Sequence, residues 1–435
     1  MTTKHLRLTR RQFVRTSAAA ASAPWIVSAA ALGQDKKSPA SERITLGFIG
    51  MGIMNRGHLA GFLGQKDVQV LAVCDVDTTR REHAKKMVDD RYAKGRKGGA
   101  TGCAAYNDYR DILKRNDIDA VVISTPDHWH AIPVIEAAQA KKDIYCEKPL
   151  SLTIHEAKLM IDVVRKHERV FQTGSQQRSE FGGKFRLACE LVRSGRLGKL
   201  KQVTVGVGGP SKPCDLPEEK LEPGLDWDRW LGPAPKRPYH SVLSPRGIHN
   251  HFPAWRAYRE YSGGQMTDMG AHHFDIAQWA LDMDESGPVE IIPPENPRAE
   301  SGVKFIYANG VEVIHGGPSG CVFIGSEGEI HVDRDRLVSK PESIVKEPLG
   351  DRDVHLFKSP GHHRNWLDCI RSRKRPICDV EIGARSVTVC HLGNLAYWHR
   401  RKLRWDPGKW QFVDDRAANT WLDVARRKPF ELPKV

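Results

Sequence analysis

Short apolar runs alternate with amphipathic stretches over the first 175 residues of the chain. ITLGFI (44–49) runs into a Gly-rich turn and a helical pattern, and VQVLAVCD (68–75) follows as a second apolar run. The same order recurs in DIDAVVIS (117–124), HAIPVIEAAQAKK (130–142) and DIYC (143–146). Strands that alternate with helices are typical of a parallel, doubly wound sheet. The pattern therefore predicts an α/β fold of the Rossmann type at this end of the chain.

A second pattern, GGQMTDMGAHHFDIAQW, predicts one continuous helix over 266–281. Asp268, His272 and Asp275 are spaced i, i+4 and i+7, which places them on one face. The adjacent His273 points away from His272 by about 100° of helix. The two histidines are therefore not equivalent.

The first residues have the layout of an export signal. TRRQFVR is followed by a weakly apolar, Ala-rich stretch that ends in small residues. This order predicts a twin-arginine signal peptide over residues 1–33, a linker over 34–42, and a periplasmic or otherwise exported protein that meets the twin-arginine export machinery. Without the five basic residues of that segment, the net charge of +14 falls to +9.

Length and composition narrow the class of protein. A chain of 435 residues is long for one domain, and we predict a Rossmann domain over 43–170 and a substrate-binding and oligomerisation domain over 171–435. No apolar run is long enough for a membrane span in the mature form. No zinc-finger, RNP or basic-zipper motif supports nucleic-acid binding. Nine cysteines without a CxxC pair predict free thiols and no disulfide scaffold.

The turn after the first strand indicates dinucleotide binding. Gly50 and Gly52 form GxG, and Asn55 stands at the third glycine position, so the fingerprint is incomplete. Asp75 ends the next strand, near the expected distance for an acid on the ribose hydroxyls, which favours NAD. Arg80 close by keeps NADP as the alternative cofactor.

Polar residues follow the ends of the later predicted strands. Thr125-Pro126, Glu147-Lys148-Pro149 and Gln176-Gln177 stand there, together with His128 and His130. Ligands of doubly wound sheets bind at the carboxyl ends of the strands. These residues are therefore expected to line one edge.

Taken together, GxGxxxR, STPDHWH, EKPLS and GGQMTDMGAHHFDIAQW resemble the Gfo/Idh/MocA family of nicotinamide-dependent oxidoreductases, which act on sugars, inositols and related polyols. The resemblance extends from about residue 43 to the C-terminus. It implies that the Rossmann domain is followed by an α/β domain with a large open mixed sheet, and that the chain forms a homo-oligomer, a dimer or a tetramer. It also implies that Lys148, Asp268 and His272 are the active-site lysine, aspartate and histidine.

Three interpretations of the Asp–His cluster remain in competition. A metal site needs several converging ligands; HExxH is absent, no third ligand has a recognisable spacing, and we predict no metal. A hydrogen-bonded polar helix face without chemistry is the second interpretation. The third is acid–base chemistry, in which His272 takes a hydroxyl proton, Asp268 orients it, and Lys148 stabilises the developing alkoxide charge.

The candidate ligand-binding residues form two sets. The predicted cofactor-binding residues are Gly50, Gly52, Ile53, Met54, Asn55, Arg56, Asp75, Arg80, Thr125, Pro126, His130, Glu147, Lys148 and Gln177. The predicted substrate-binding residues are Lys148, Trp230, Trp255, Arg256, Tyr258, Asp268 and His272, because aromatic faces stack on sugar rings and polar groups hold hydroxyls.

Export would change what the enzyme requires, since no soluble NAD pool is available outside the cytoplasm. We therefore expect a cofactor that is retained and recycled while a sugar or polyol hydroxyl is oxidised. One alternative is a redox-neutral, NAD-dependent glycosidase or epimerase that acts through a transient keto-sugar. A second is a non-catalytic nucleotide-binding surface protein.

Overall fold

The computed structural model describes residues 42–94 and 102–435. The predicted signal peptide (1–33) and all but the last residue of the predicted linker (34–42) lie outside the described residues. Neither prediction is tested here, and the predicted domain boundary between 170 and 171 also stays a prediction.

The first sheet has six parallel strands in the order β3-β2-β1-β4-β5-β6. Its strands are β1 (Ile44–Ile49), β2 (Val68–Cys74), β3 (Ala104–Tyr106), β4 (Ala120–Ile123), β5 (Asp143–Cys146) and β6 (Phe171–Thr173). The helices between them are α1 (Ile53–Leu63), α2 (Thr78–Ala93), α3 (Arg110–Leu113), α4 (Ala131–Gln139) and α5 (Ile154–Lys166). This strand order is that of a Rossmann fold, as the alternation of apolar runs predicts.

The sequence explains these elements locally. Strands β4 and β5 are buried throughout, which suits a parallel sheet covered on both faces. Helix α5 begins with a capping box, in which Thr153 accepts from the backbone N–H of Glu156 and Glu156 accepts from that of Thr153.

The second sheet is open and has eight strands in the order β12-β11-β10-β9-β8-β13-β14, with β7 paired to β10. Its strands are β7 (Leu200–Gly206), β8 (Glu290–Ile292), β9 (Lys304–Ile306), β10 (Glu312–Gly325), β11 (Glu329–Val332), β12 (Leu337–Lys340), β13 (Leu403–Asp406) and β14 (Gln411–Phe412). The other helices are α6 (Lys184–Arg193), α7 (Trp227–Leu231), α8 (Gln265–Asp268), α9 (Gly270–Ala280), α10 (Ser343–Lys346), α11 (His362–Ser372), α12 (Val380–His399) and α13 (Arg416–Asn419).

The second sheet is large and open, as expected, but it is not mixed. Every strand pair of this sheet in the described part of the chain is antiparallel. The physical reason is that β8 to β12 follow one another through short connections, which join antiparallel neighbours, whereas a parallel pair needs a long crossover.

Helices α9 and α12 form the layer that joins the two sheets. Helix α12 packs against α9 and against α5 of the Rossmann part, and one hydrophobic cluster runs from β4 and β5 to β10. The predicted continuous helix over 266–281 is instead two helices, α8 and α9, separated at Met269. All residues of α9 are buried, because it is packed on several sides.

The segment between β7 and α8, residues 207–264, contains no strand and has an aromatic core of its own. We call it the aromatic module. Its buried hydrophobic residues are Leu225, Trp230, Leu231, Ala234, Tyr239, Leu243, Trp255, Tyr258 and Tyr261. It contacts the Rossmann part beside β2, where Thr78 N donates to Gly224 O at 3.0 Å and Asp226 N donates to Val76 O at 3.0 Å.

All nine cysteines, which fall within the described ranges, are free thiols, and eight of them are buried. This confirms the prediction from their number and spacing. Within 42–94 and 102–435, no helix combines the length and apolar character that a membrane span needs.

A buried ion pair fixes α9 to the Rossmann part and provides a test of stability. The Arg178 guanidinium donates two hydrogen bonds to the Asp275 carboxylate (2.8 and 2.9 Å), and the side chains are 1% and 0% exposed. We expect Asp275→Asn to lower the free energy of unfolding by about 2 kcal/mol, because the buried guanidinium loses one of its two carboxylate partners and keeps the other, Asp284, at 2.6 Å. Urea titration measures the change.

The exposed pair of Lys346 and Glu342 supplies the control for that experiment. Lys346→Gln is expected to change the free energy of unfolding by less than about 1 kcal/mol, since exposed ion pairs contribute little. Equal losses in the two variants would contradict the importance assigned to the buried pair.

Candidate active site

One large cavity of about 970 Å³ opens at the carboxyl ends of β1, β2, β4 and β5 and is faced by the aromatic module. It contains the Gly-rich turn at one side and the loop after β5 at another. Helices α8 and α9 contribute the remaining wall through Asp268, Met269 and His272. This is the position at which doubly wound sheets bind their ligands.

The Gly-rich turn fits a dinucleotide. Gly50 has φ of 79°, and a Cβ there would lie 3.0 Å from Ser124 O, so the turn needs glycine. No atom lies within 4 Å of a Cβ built on Gly52, which leaves its backbone open to a ligand at the start of α1. Thr125 Oγ1, on the opposite loop, is buried without a hydrogen-bond partner.

The acid at the end of β2 is held by backbone amides. Asp75 Oδ2 accepts from Met51 N at 2.6 Å and Oδ1 accepts from Asp77 N at 2.8 Å. Burial raises the pKa of Asp75, although Arg80 and the two amide donors oppose the increase. A carboxylate has about four lone-pair positions, so it retains capacity for ribose hydroxyls.

The cavity contains most of the predicted cofactor-binding residues. Those that line it are Gly50, Gly52, Ile53, Met54, Asp75, Arg80, Thr125, Pro126, Glu147 and Lys148. The four others, Asn55, Arg56, His130 and Gln177, lie behind its wall.

These four side chains support the wall. Asn55 donates to Gly50 O at 2.7 Å and so braces the turn. His130 bridges Pro149 O at 2.8 Å and Thr125 O at 2.9 Å, which ties two strand-end loops together. Gln177 donates to His272 O at 3.2 Å, and Arg56 donates to the carbonyl oxygen of His249. All four were predicted to bind the cofactor, and in the structure they support the residues that line the cavity.

Lys148 and Asp268 meet in the cavity although 120 residues separate them. Lys148 Nζ donates to Asp268 Oδ1 at 2.6 Å and to Asp268 O at 3.0 Å. Arg256 Nε lies 3.5 Å from Asp268 Oδ2. The attraction of Lys148 and Arg256 lowers the pKa of Asp268 despite its burial. The Lys148–Pro149 peptide bond is cis.

His272 lines the cavity, but its predicted pairing with Asp268 is wrong. In the described residues neither a hydrogen bond nor an ion pair joins them, and His272 Nδ1 is buried without a partner. The interruption at Met269 puts the two side chains on different helices, and the neighbouring cations attract the carboxylate. Burial, with the charges of Lys148 and Arg334, lowers the pKa of His272 well below its usual value.

The other polar residues of the predicted helix are structural. His273 does not line the cavity; its Nδ1 lies 3.4 Å from Gln177 Nε2, and burial lowers its pKa to about 4. Asp275 accepts from Arg178 and from Ser386 Oγ at 2.8 Å. Asp275 therefore fixes its helix and lies outside the cavity.

Glu147 belongs to a buried chain of hydrogen bonds that the sequence did not reveal. Its Oε1 lies 2.8 Å from His58 Nε2, and His58 Nδ1 lies 2.8 Å from His363 Nε2. Gln176 Nε2 donates to the same carboxylate oxygen at 2.8 Å. The hydrogen bond to His58 and the charge of Lys148 lower the pKa of Glu147 against its burial. His363 and His58 line a second, smaller pocket.

Of the predicted substrate residues, all but Tyr258 line the cavity. Lys148, Trp230, Trp255, Arg256, Asp268 and His272 are at its wall. Tyr258 is buried in the core of the aromatic module, under the Lys212 ammonium, which lies 5.6 Å from its ring. The aromatic module contains no sheet and builds its core from its own aromatic side chains. Tyr258 is part of that core and is therefore not available at the cavity surface.

The lining residues that the predicted sets missed include Asp127, Phe252 and Arg334. Asp127 stands in the quoted STPDHWH motif, so its position was available; burial raises its pKa to about 7, against a hydrogen bond from Ser262. Arg334 stands at the tip of the β11–β12 hairpin, and no local pattern signals that this tip reaches the cavity. Among the described residues, no group of three His, Cys, Asp or Glu side chains is arranged to hold a metal ion.

The Rossmann sheet and its open Gly-rich turn adjoin a cavity that holds a lysine–aspartate pair and a histidine of lowered pKa. Two family models match the chain. "Oxidoreductase family, NAD-binding Rossmann fold" matches residues 44–175, and "Oxidoreductase family, C-terminal alpha/beta domain" matches residues 207–432. The chain belongs to the Gfo/Idh/MocA oxidoreductase family, and its cofactor is NAD(P).

Relatives of known sequence share part of the chain. A "Glycosyl hydrolase family 109 protein" of Shewanella pealeana is 29% identical over 162 residues, 37% of this chain and 34% of that protein. "Uncharacterized oxidoreductase YrbE" of Bacillus subtilis is 30% identical over 241 residues, 55% of this chain and 54% of that protein. The chain therefore spans between a third and about half of the length of these relatives.

Solved structures share the fold at low identity. The WlbA dehydrogenase of Bordetella pertussis, in complex with NADH and UDP-GlcNAcA, has a TM-score of 0.58 and 18% identity, over 84% of this chain and 98% of that chain. The aldose-aldose oxidoreductase of Caulobacter crescentus, complexed with glycerol, has a TM-score of 0.56 and 16% identity, over 83% and 99%.

Several buried histidines predict a loss of stability in acid. Burial lowers the pKa of His128 and His363 to about 3, and that of His273, His362 and His391 to about 4. Below about pH 6.5 the unfolded chain binds protons that the folded chain does not, so stability falls as the pH drops toward the folded values. Each histidine contributes up to about 1.4 kcal/mol per pH unit in that window.

Urea titration at pH 7, 6 and 5 measures this slope. His391→Gln is expected to reduce the loss between pH 6 and 5 by about 1 kcal/mol, because one buried imidazole no longer resists protonation. His155→Gln, at an exposed position, is the matched control. A slope that is equal in the wild type and His391→Gln would contradict the prediction.

Proposed function

We propose that this protein oxidises a hydroxyl group of a sugar or polyol with a nicotinamide cofactor that it retains between turnovers. The observation that carries the proposal is the convergence of Lys148, Asp268 and His272 on the cavity that also contains Gly50 and Gly52. The neighbours' names point the same way, since the solved structures include sugar oxidoreductases.

Each residue of the group has a separate task in this proposal. Lys148, held by Asp268, donates a hydrogen bond to the reacting oxygen and stabilises the developing negative charge. His272 is neutral and accepts the hydroxyl proton. Asp268 acts on Lys148 and not on His272, so it positions the lysine and offsets its charge. NAD(P), when bound, supplies the hydride acceptor.

Retention of the cofactor is supported by the contacts of the aromatic module across the dinucleotide side of the cavity. Arg80 Nη1 donates to Ser244 Oγ at 3.2 Å, and Arg80 Nη2 donates to Pro245 O. Arg56 donates to the backbone carbonyl oxygen of His249, which lies shortly after Pro245 in the same segment. These bonds are buried or partly buried, and we expect them to slow the release of a dinucleotide bound at the Gly-rich turn.

A redox-neutral reaction is the second candidate. Several of the similar proteins are glycosyl hydrolase family 109 proteins, although the match covers about a third of their length. Transient oxidation to a keto-sugar acidifies the neighbouring C–H, after which a glycosidic bond is eliminated or a centre is inverted, and the hydride returns. Such a cycle uses the same lysine, aspartate and histidine and needs no external NAD(P).

The proposal extends to the location of the protein. A twin-arginine signal over 1–33 would export it folded, with the cofactor already bound, to the periplasm, and the mature protein would act there as a homo-oligomer. A retained cofactor is what such a location requires, because the protein meets no soluble pool of nucleotide.

Analysis of bound cofactor separates these functions. The protein is purified, denatured, and the released nucleotide identified by mass spectrometry. The native protein is then incubated with a panel of sugars, polyols and methyl glycosides without added nucleotide. We expect stoichiometric NAD(P), and either a reduced cofactor or a rearranged product. An apo protein whose turnover depends on added NAD(P) would refute retention, and the absence of any turnover would favour a nucleotide-binding surface protein.

The role of His272 is tested by comparison with its neighbour. His272→Gln is expected to lower kcat by about 100-fold or more, because proton abstraction by a placed base contributes about that factor. His273→Gln removes the same chemistry one residue away, outside the cavity, and is expected to keep kcat within a few-fold. Full turnover in His272→Gln would exclude the proposed proton acceptor.

A further inference from the structure

Three cations, Lys148, Arg256 and Arg334, line the part of the cavity around His272. Asp268 is engaged by Lys148 at 2.6 Å and approached by Arg256 at 3.5 Å. The acids Glu147 and Asp127 of the same wall are engaged elsewhere, Glu147 by His58 and Gln176 and Asp127 by Ser262. Of the three cations, Arg334 is the one without an ion pair to a carboxylate in the described residues.

Arg334 is half-buried and has no charge partner of its own. Its Nε donates to the neutral Gln177 Oε1 at 3.1 Å, and its guanidinium lies 4.9 Å from the centre of the Phe181 ring. In the part of the chain that the structure describes, no carboxylate forms an ion pair with it. Burial lowers the pKa of Arg334, and the charges of Asp268 and Asp335 oppose the decrease only in part.

The acids beside Arg334 are occupied or face away from the cavity. Asp333 Oδ1 accepts from the backbone N–H groups of Asp335 and Arg336, at 2.8 Å each, and its Oδ2 accepts from Arg336. Asp335 is exposed and does not line the cavity. The Asp333 turn therefore fixes the hairpin tip and holds Arg334 at the cavity wall. In the described residues, neither Asp333 nor Asp335 forms an ion pair with Arg334.

We infer that the substrate carries a carboxylate, as in a sugar acid of the uronate type, and that Arg334 is the residue that binds it. The inference rests on the proposed function and adds the class of substrate. A half-buried guanidinium with free N–H donors matches a carboxylate in geometry and charge, and can hold it by two parallel hydrogen bonds.

A bound carboxylate also changes the conditions for proton transfer. The positive charge of Arg334 is one of the factors that hold His272 neutral, after burial and Lys148. A negative group on Arg334 cancels that charge close to His272. The substrate that fits the guanidinium therefore makes the imidazole a better proton acceptor, and a neutral analogue does not.

Matched ligands test the inference on the native protein with its cofactor. Calorimetric binding and turnover are measured for methyl glucoside, methyl glucuronide, methyl galactoside and methyl galacturonide, with glucose 6-phosphate as the phosphate comparison. We expect at least one uronate to bind about 10- to 100-fold more tightly than its neutral partner, a factor typical of hydrogen bonds to a charged group.

Variants assign that preference to Arg334. Arg334→Gln is expected to remove the difference between the uronate and the neutral partner, and Arg334→Lys to restore part of it. Lys340→Gln, at an exposed position of β12 in the same hairpin, is expected to retain the preference. The KM for the uronate should rise in Arg334→Gln while that for the neutral sugar is unchanged.

The outcomes distinguish this inference from the proposed function. Uronate binding that depends on Arg334, without turnover, would support the anion site and refute the oxidation. Turnover of neutral and acidic members with equal KM, or equal losses for both in Arg334→Gln, would overturn the anion site alone. Tighter binding of the phosphate than of either uronate would overturn the assignment of a carboxylate.

Discussion

The salt bridge between Lys148 and Asp268 is the interaction on which the active site depends. Lys148 follows β5 of the Rossmann sheet, and Asp268 ends α8, the first element after the aromatic module. The lysine also donates to the backbone carbonyl oxygen of Asp268, so it ties down the main chain as well as the carboxylate. The junction between the two sheets therefore lies at the place where a hydroxyl would react.

The sequence predicted best those features of the fold that depend on residues close together in the chain. The six parallel strands follow from apolar runs that alternate with helices, and Gly50 follows from a turn that needs φ of 79°. Partners that are distant in sequence were not accessible in the same way. The spacing of Asp268 and His272 matched one helix face, but the interruption at Met269 separated them, and the choice of Asp268 between partners was decided by Lys148 and Arg256. Arg334 reaches the cavity through strand pairing, which no local pattern encodes.

The aromatic module shows a related limit of composition. Trp230, Trp255 and Tyr258 were expected at the substrate. Tyr258 is instead buried, and Trp230 lines the cavity while its ring stacks on that of Trp227 with centres 4.7 Å apart. A long segment without strands must build a core from its own side chains, and large rings do so with few residues. Trp255 satisfies both demands, because it is buried and still presents part of its surface to the cavity.

The chain Glu147–His58–His363 has a consequence for where protons reside. An ionised Glu147 can only accept, so the 2.8 Å contact requires a proton on His58 Nε2. Whenever His58 is neutral, its Nδ1 must then accept, and His363 must carry its proton on Nε2. The charge of a buried carboxylate thus dictates the tautomers of two successive rings, the second of which borders a separate pocket. The protonation state of Glu147 therefore determines which nitrogen of His363 carries the proton. The nitrogen chemical shifts of His363, which borders the second pocket, would report that state.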